Sequence, residues 1–151
     1  MSSKKSKRVN SYSEPESCVE MIKSGTYLNI YCPHCRKTFN KGEYANFRVI
    51  NPAGEEGEVR LSPYLNVYTR ESTISLPEGQ EVKDLLCPHC GKSLICTRKR
   101  CDSCGSRVAK VLVAALTQIV EFYICTRVGC HWHGLSEEDE DTIRLDDSLE
   151  W

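Results

Sequence analysis

The sequence predicts a small protein built mainly of β-strands, with one short helix near its N-terminus. Short runs of β-branched and aromatic residues, separated by turns that contain Gly or Pro, predict the strands. The chain has only 151 residues, with three Phe and two Trp, so its hydrophobic core should be thin. Eight of its ten cysteines lie in four close pairs, which can supply the stability that such a core lacks.

The four cysteine pairs predict two metal sites. They are Cys32/Cys35, Cys87/Cys90, Cys101/Cys104 and Cys125/Cys130. A Cys-x-x-Cys turn directs both sulfurs to one point, and two such turns make the tetrahedral four-thiolate set of structural Zn²⁺ sites. Four pairs therefore predict two Zn²⁺ ions. Iron is the alternative, because a four-thiolate site also holds Fe. The predicted fold class is thus small, metal-stabilised β, and α+β only through its one short N-terminal helix.

The ligand set has two open points. We expect the pairs to combine in chain order, and a crossed combination is the alternative. The fourth pair has four intervening residues rather than two, so His131 or His133 is an alternative ligand to Cys130. Cys18 and Cys96 fall outside the pairs. Cys18 is predicted to be a small buried or half-buried thiol on the helix, and Cys96 a structural or free thiol.

The segment Cys101-Asp-Ser-Cys104-Gly105, the hairpin expected after it, and Cys125-Thr-Arg-Val-Gly-Cys130-His-Trp-His-Gly134 resemble the zinc-ribbon superfamily. The resemblance covers residues 32–135. It implies tandem four-cysteine zinc ribbons, the first with a long β insertion between its two cysteine pairs. It implies a metal and a fold but no single task, since zinc ribbons serve in transcription, translation, topoisomerases and enzyme subunits.

The remaining elements follow from local patterns. A helix is predicted from Ser13, a possible N-cap with Glu16 at capping-box spacing, to a stop at Gly25. Strands are predicted over 27–31, 45–50, 59–61, 64–69, 73–76 and 82–86. The runs 108–116 and 119–124 predict a β-hairpin, with a helix as the competing interpretation.

These elements divide the chain into four parts. Residues 1–12 are predicted to be a disordered basic arm. Residues 13–95 should hold the helix and the first zinc ribbon with its insertion, and residues 96–135 the second ribbon. Residues 136–151 are predicted to be an acidic tail.

The charge pattern limits the choice of partners. The net charge is −1, with basic residues at the N-terminus and acidic ones at the C-terminus. Such a balance is not typical of a protein that mainly binds a phosphate backbone. One local cluster, Arg98, Lys99 and Arg100, could still contact nucleic acid.

No apolar export segment follows the basic start, and no apolar run is long enough to cross a bilayer. We therefore expect a cytoplasmic protein with no membrane partner. In that reducing compartment, paired cysteines bind metal more often than they form disulfides.

No catalytic residue is predicted. Both sites use four ligands, which leaves no open coordination position, and motifs such as His-Glu-x-x-His or a phosphate-binding Gly loop are absent. No small-molecule substrate is evident. The repeated Cys-Pro-His-Cys also matches an oxidising thioredoxin-like site, but that site needs a helix after its first cysteine.

The leading hypothesis is a non-catalytic zinc protein that serves as a small subunit or adaptor in a larger protein assembly, including an accessory subunit of an enzyme. The alternatives are a nucleic-acid-binding zinc ribbon related to transcription or RNA, and a four-thiolate iron electron-transfer or thiol redox protein.

Overall fold

The computed structural model describes residues 20–115, 118–136, 139 and 143–145, and these residues form twelve strands. The strands are β1 (Glu20–Ile22), β2 (Asn29–Tyr31), β3 (Asn40–Lys41), β4 (Tyr44–Ile50), β5 (Glu56–Leu61), β6 (Arg70–Ser72), β7 (Asp84–Leu86), β8 (Ile95–Arg100), β9 (Arg107–Ala115), β10 (Gln118–Cys125), β11 (His133–Leu135) and β12 (Ile143–Leu145). No helix lies wholly within these ranges. None in the described residues has the length and apolar character needed to cross a membrane.

The predicted N-terminal helix is wrong where the structure describes it. Strand β1 occupies the second half of that segment and pairs in parallel with β12, with Ile22 opposite Leu145. Gly25 does not end a helix; it has a φ of 83° and donates its N–H to the carbonyl of Leu65. The proposed cap at Ser13 lies outside the described residues. The described residues therefore form a β fold, and the predicted α+β component of the fold class is wrong.

The hairpin predicted between the third and fourth cysteine pairs is confirmed. Strands β9 and β10 pair in antiparallel register, with Val111 opposite Phe122. On its other side β9 pairs with β8 near its start and with β2 near its end, and β11 extends the sheet beyond β10. Strand β9 is thus the centre of a five-stranded antiparallel sheet.

A second antiparallel sheet is built around β4. Strand β5 pairs along one edge of β4 and carries β6 on its far side. The other edge of β4 pairs with β3 at its start and with β7 at its end. Strand β7 leads directly into the second cysteine pair, as expected.

Two predicted strands in this region are absent. Residues 64–69 alternate in polarity but form a turn, in which Val67 N donates to the carbonyl of Tyr64 and Asn66 has a φ of 64°. Their backbone also bonds to the segment before β2, since Leu65 N donates to Thr26 O. Residues 73–76 follow the strand β6 and do not form one themselves. Alternating burial here comes from a half-buried loop.

The main core lies between the two sheets. Phe47 and Val49 of β4 are buried together with Val111 of β9 and Phe122 of β10, in one continuous cluster. Burial of each such side chain is worth about 1.5–3 kcal/mol. Strand β2, from the predicted first ribbon, pairs with β9 from the predicted second one. The described residues of the two segments therefore share one interior.

The hairpin also has a second, separate apolar contact. Its residues Val108 and Tyr123 belong to a small buried cluster of their own, which includes Cys101. Cys96 and Trp132 pack against this cluster. One face of the hairpin thus supports the main core, and the other supports the second group of cysteines.

Part of the acidic segment 136–151 is built into the fold. Ile143 of β12 is fully buried in the main core. The carboxylate of Asp139 accepts hydrogen bonds from Glu121 N and from the Ser136 hydroxyl, both at 2.9 Å. Leu149 and Trp151 lie outside the described residues, as does the arm 1–12.

Candidate metal centres

The structure brings the eight paired cysteines together as two groups of four. Site 1 contains Cys32, Cys35, Cys87 and Cys90, and site 2 contains Cys101, Cys104, Cys125 and Cys130. Within each group all four sulfurs lie within 4.8 Å of one another. The pairs combine in chain order. Groups of this kind are compatible with zinc-binding sites.

The sulfur spacing fits a tetrahedral metal ion. In site 1, Cys32 Sγ lies 3.8 Å from Cys90 Sγ, and Cys35 Sγ lies 3.7 Å from Cys87 Sγ. In site 2 the corresponding distances are 3.8 Å between Cys101 and Cys130 and 3.5 Å between Cys104 and Cys125. Tetrahedral Zn–S bonds of about 2.3 Å place sulfurs about 3.8 Å apart, whereas a disulfide needs about 2.05 Å.

The first cysteine of each Cys-x-x-Cys turn accepts hydrogen bonds from the turn itself. In the turn 32–35, Cys32 Sγ accepts from His34 N at 3.3 Å and from Cys35 N at 3.5 Å. The turns 87–90 and 101–104 repeat both bonds, at 3.3–3.4 Å. Such N–H groups stabilise negative charge on sulfur. We refer to each of these turns as a knuckle.

The residue after each knuckle closes the turn with a left-handed backbone. Gly91 and Gly105 have φ values of 75° and 77°, and each donates its N–H to the carbonyl of the first cysteine of its knuckle. Arg36 takes the same place after the first knuckle, with a φ of 66° and a 3.0 Å bond to Cys32 O. A side chain makes this conformation costly, so the first knuckle carries strain that the other two avoid.

The two knuckles of site 1 are joined by a reciprocal pair of histidine hydrogen bonds. His34 Nε2 lies 3.1 Å from the carbonyl of Ser93, and His89 Nε2 lies 3.1 Å from the carbonyl of Thr38. Each imidazole of a Cys-Pro-His-Cys turn thus donates to the backbone that follows the opposite turn. The two halves of site 1 therefore contact each other in the same way, and we call this pair of hydrogen bonds the histidine exchange.

A sequence repeat that extends beyond the cysteines indicates the histidine exchange, and the cysteine spacing alone does not reveal it. Tyr-Cys-Pro-His-Cys-Arg-Lys-Thr at 31–38 repeats as Leu-Cys-Pro-His-Cys-Gly-Lys-Ser at 86–93. Both copies end in a bridge between their first and last residues, Tyr31 with Thr38 and Leu86 with Ser93. His34 and His89 belong to this repeat, since each is the third residue of a Cys-Pro-His-Cys turn. Both histidines bond across the site and so position its two halves.

Site 2 is asymmetric. Its second half is the loop from Cys125 to Cys130, in which Arg127 N donates to Cys125 Sγ at 3.4 Å. Gly129 precedes the last cysteine with a φ of 93°. The hydroxyl of Ser106 lies 3.2 Å from Cys104 Sγ, where it can donate to a thiolate. Sequence reasoning did not single out Ser106.

Burial opposes ionisation of several of these thiols. It raises the pKa of Cys87 to about 12, and it also raises the pKa values of Cys32, Cys125 and Cys130. Burial of Cys104 acts in the same direction, but hydrogen bonds led by the one from Ser106 outweigh it and lower its pKa to about 6. A divalent cation offsets the cost of collecting several thiolates in one place.

The predicted alternative ligands have other contacts. The ring of His131 stacks on Tyr68, with centroids 4.1 Å apart and planes 8° apart. The ring of His133 stacks on Phe122 at 5.5 Å, and its Nδ1 lies 3.1 Å from the carbonyl of His131. Neither histidine belongs to the four-atom set of site 2. The ligand assignment of Cys130 stays a prediction that this geometry favours.

The basic cluster lies on strand β8, and its members differ in their contacts. Arg98 and Arg100 are exposed. Lys99 is half-buried, and its Nζ lies 5.6 Å from the ring centroids of both Tyr123 and Trp132, which are distances typical of cation–π contacts. Lys99 therefore supports the surroundings of site 2, and the exposed charge of the cluster comes from the two arginines.

Nearby cations are also engaged in the fold. Arg107 Nε donates to Glu81 Oε1 at 2.7 Å, and its Nη2 donates to the carbonyl of Val82 at 2.6 Å. The first of these bonds lowers the pKa of Glu81. Lys110 Nζ lies 3.5 Å from Glu121 Oε2. The positive charges of Arg107 and Lys110 thus take part in structural contacts.

Comparisons with protein-family models, with curated proteins and with solved structures returned no match. The interpretation of the two sites therefore depends on their own geometry.

The strain at Arg36 gives a testable prediction. Replacement of Arg36 by Gly should raise the free energy of unfolding by about 1 kcal/mol, because the left-handed backbone then loses its side-chain penalty. The matched change Gly91→Arg, at the equivalent place, should lower it by a similar amount. A Cβ at position 91 meets nothing within 4 Å, so only the backbone is affected. Urea unfolding of the zinc-loaded protein measures both. Shifts of the same sign would contradict the explanation.

The histidine exchange gives a second prediction. With zinc bound, His34→Ala and His89→Ala should each speed or increase metal loss from site 1 to a competing chelator, by about two- to tenfold for one net hydrogen bond. The two effects should be equal, because the contacts are equivalent. His131→Ala, far along the chain at the Tyr68 stack, is the control and should leave this release unchanged. A strong effect of only one of the two site 1 histidines would argue against reciprocal positioning.

Proposed function

We propose that this chain is a non-catalytic zinc protein with two closed, zinc-ribbon-type four-thiolate sites, and that it acts as a small subunit or adaptor in a larger protein assembly. The observation that carries the proposal is the convergence of all four sulfurs in each group at tetrahedral spacing. A complete four-sulfur set fills the coordination sphere of Zn²⁺ and leaves no position for a substrate or reactive water. This supports a structural rather than a catalytic ion.

Zinc is proposed over iron, because closed four-thiolate sets are the usual structural zinc sites and the tight spacings of iron–sulfur clusters are absent. A thiol redox role has less support. A turn and a short strand follow the first Cys-Pro-His-Cys segment, and a turn and β8 follow the second, in the described residues 36–50 and 91–100. The helix dipole that activates a thioredoxin-like cysteine is therefore missing there. Cysteine pairs that bind metal are typical of a reducing compartment, which supports a cytoplasmic location.

The metal assignment predicts a simple stoichiometry. Native mass spectrometry of the purified chain should find two zinc ions. Cys90→Ser and Cys104→Ser should each retain one ion, from site 2 and site 1 respectively, because a closed site missing one thiolate loses most of its affinity. Cys96→Ser is the matched control, since Cys96 packs near site 2 but belongs to neither group, and it should retain two. Iron in the isolated protein, with its visible absorbance, would contradict the zinc assignment.

The partner assignment needs a separate experiment that also tests the nucleic-acid alternative. The full chain is isolated from its own cells, and the mass of the intact complex is measured by native mass spectrometry with and without nuclease treatment. We expect a protein companion in a fixed ratio that survives nuclease and is retained by the variant Arg98→Glu/Arg100→Glu. Loss of the bound material after nuclease, or in the charge-reversal variant together with a strong salt dependence, would instead identify nucleic acid. Recovery of the chain alone would count against the adaptor role.

A further inference from the structure

A cavity of about 210 Å³ lies between the inner faces of the two sheets. Phe47 and Val59 line it from the sheet of β4, and Val111 and Phe122 line it from the sheet of β9. An apolar cavity lowers stability, because the atoms around it lose dispersion contacts that a filled core would make. A ligand of suitable shape would restore those contacts.

One end of the cavity is aromatic and polar. It is lined by Tyr68, His131 and His133, which lie together because the Tyr68 ring contacts both histidine rings. His131 is exposed, so this end reaches the protein surface. The stack of Tyr68 on His131 and that of His133 on Phe122 contribute flat aromatic rings to the lining.

His133 lines the cavity, and its neutral ring has one nitrogen that can accept a hydrogen bond. Its Nδ1 faces the carbonyl of His131 at 3.1 Å, so Nδ1 carries the proton of the neutral ring and Nε2 is left as the acceptor. Burial lowers the pKa of His133, which keeps the ring neutral near pH 7. A hydroxyl or N–H on a ligand could therefore donate to it.

The volume limits the size of the occupant. An apolar cavity of about 150 Å³ is enough to take up benzene. A cavity of about 210 Å³ can hold a single aromatic ring with a substituent. We propose that this cavity binds a small aromatic molecule with one hydrogen-bond donor, of the phenol class, with the ring between the two sheets and the donor at His133.

The cavity is also coupled to site 2. The loop from Cys125 to Cys130 forms part of its wall and contributes two of the four sulfurs of that site. An ion in site 2 would fix this loop, so ligand binding should require site 2 to be loaded. This coupling rests on the proposed metal binding, whereas the cavity itself does not.

The test uses the full zinc-loaded chain and p-cresol as the probe, with toluene as the matched molecule that lacks the hydroxyl. Calorimetry should show one saturable site for p-cresol, with methyl NMR shifts at Val111 and Val59. Toluene should bind about three- to tenfold more weakly, the effect of one net hydrogen bond. His133→Phe keeps an aromatic ring but removes the acceptor, and should abolish the preference for p-cresol. Absence of saturable binding would overturn the proposal.

Variants that fill the cavity separate it from other surfaces. Val111→Phe places a ring in the cavity and should weaken p-cresol binding by about tenfold or more, since its space is then occupied. Ile119→Phe, at a side chain 59% exposed, is the control and should bind as the natural chain does. Equal affinity for p-cresol in the Val111→Phe protein would place the binding elsewhere. If that variant loses its metal or does not fold, the His133→Phe selectivity decides the question.

The coupling is tested with the one-site variants. Cys104→Ser should lose p-cresol binding to a greater extent than Cys90→Ser, because only the former frees the loop that lines the cavity. Equal binding by the two variants would overturn the coupling to site 2 and leave the cavity assignment to the filling and selectivity experiments.

Discussion

The fold depends on holding together segments that lie far apart in the chain. Cys32 and Cys90 are 58 positions apart, and Cys101 and Cys130 are 29 apart, yet their sulfurs meet at 3.8 Å. Closing loops of this length costs chain entropy, and four thiols gathered in one place cost desolvation as well. A Zn²⁺ ion in each group, as proposed, would repay both costs through four metal–sulfur bonds. With the proposed ions bound, the two sites would act as cross-links that supplement a thin core.

The hairpin of β9 and β10 links the two sites through packing. Residues Ala109, Val111 and Val113 of β9 face the main core, where Cys32 and Cys87 are also buried. Val108 belongs to the small cluster around site 2. One strand thus contributes to the packing around both sites. The described residues therefore share one packed interior that borders both cysteine groups, even though the cysteine pairs lie in separate parts of the sequence.

Sequence reasoning succeeded where a pattern is local and failed where a distant partner decides. The spacing of the cysteines singled out the eight residues that meet, and β-branched residues between two pairs gave the hairpin. The helix through Ile22 failed because its apolar residue serves a strand whose partner, β12, lies more than a hundred positions away. The alternation at 64–69 reflects a loop with one buried side, Leu65, that no strand pairing explains. The cavity follows only from the separation of two packed sheets, which no local pattern specifies.

The difference between the two sites has a structural reason. Site 1 joins two copies of one motif, so each half can supply a histidine that braces the other, and the site lies at the edge of the main core with Cys90 exposed. Site 2 joins a knuckle to an unlike loop, so no such exchange is available there. Site 2 is supported instead by the hydrogen bond between Ser106 and Cys104. The cation–π contacts of Lys99 with Tyr123 and Trp132 add to this support. Because the two halves of site 2 differ, its second half can also serve another part of the fold. In this chain the loop from Cys125 to Cys130 forms a wall of the cavity between the sheets.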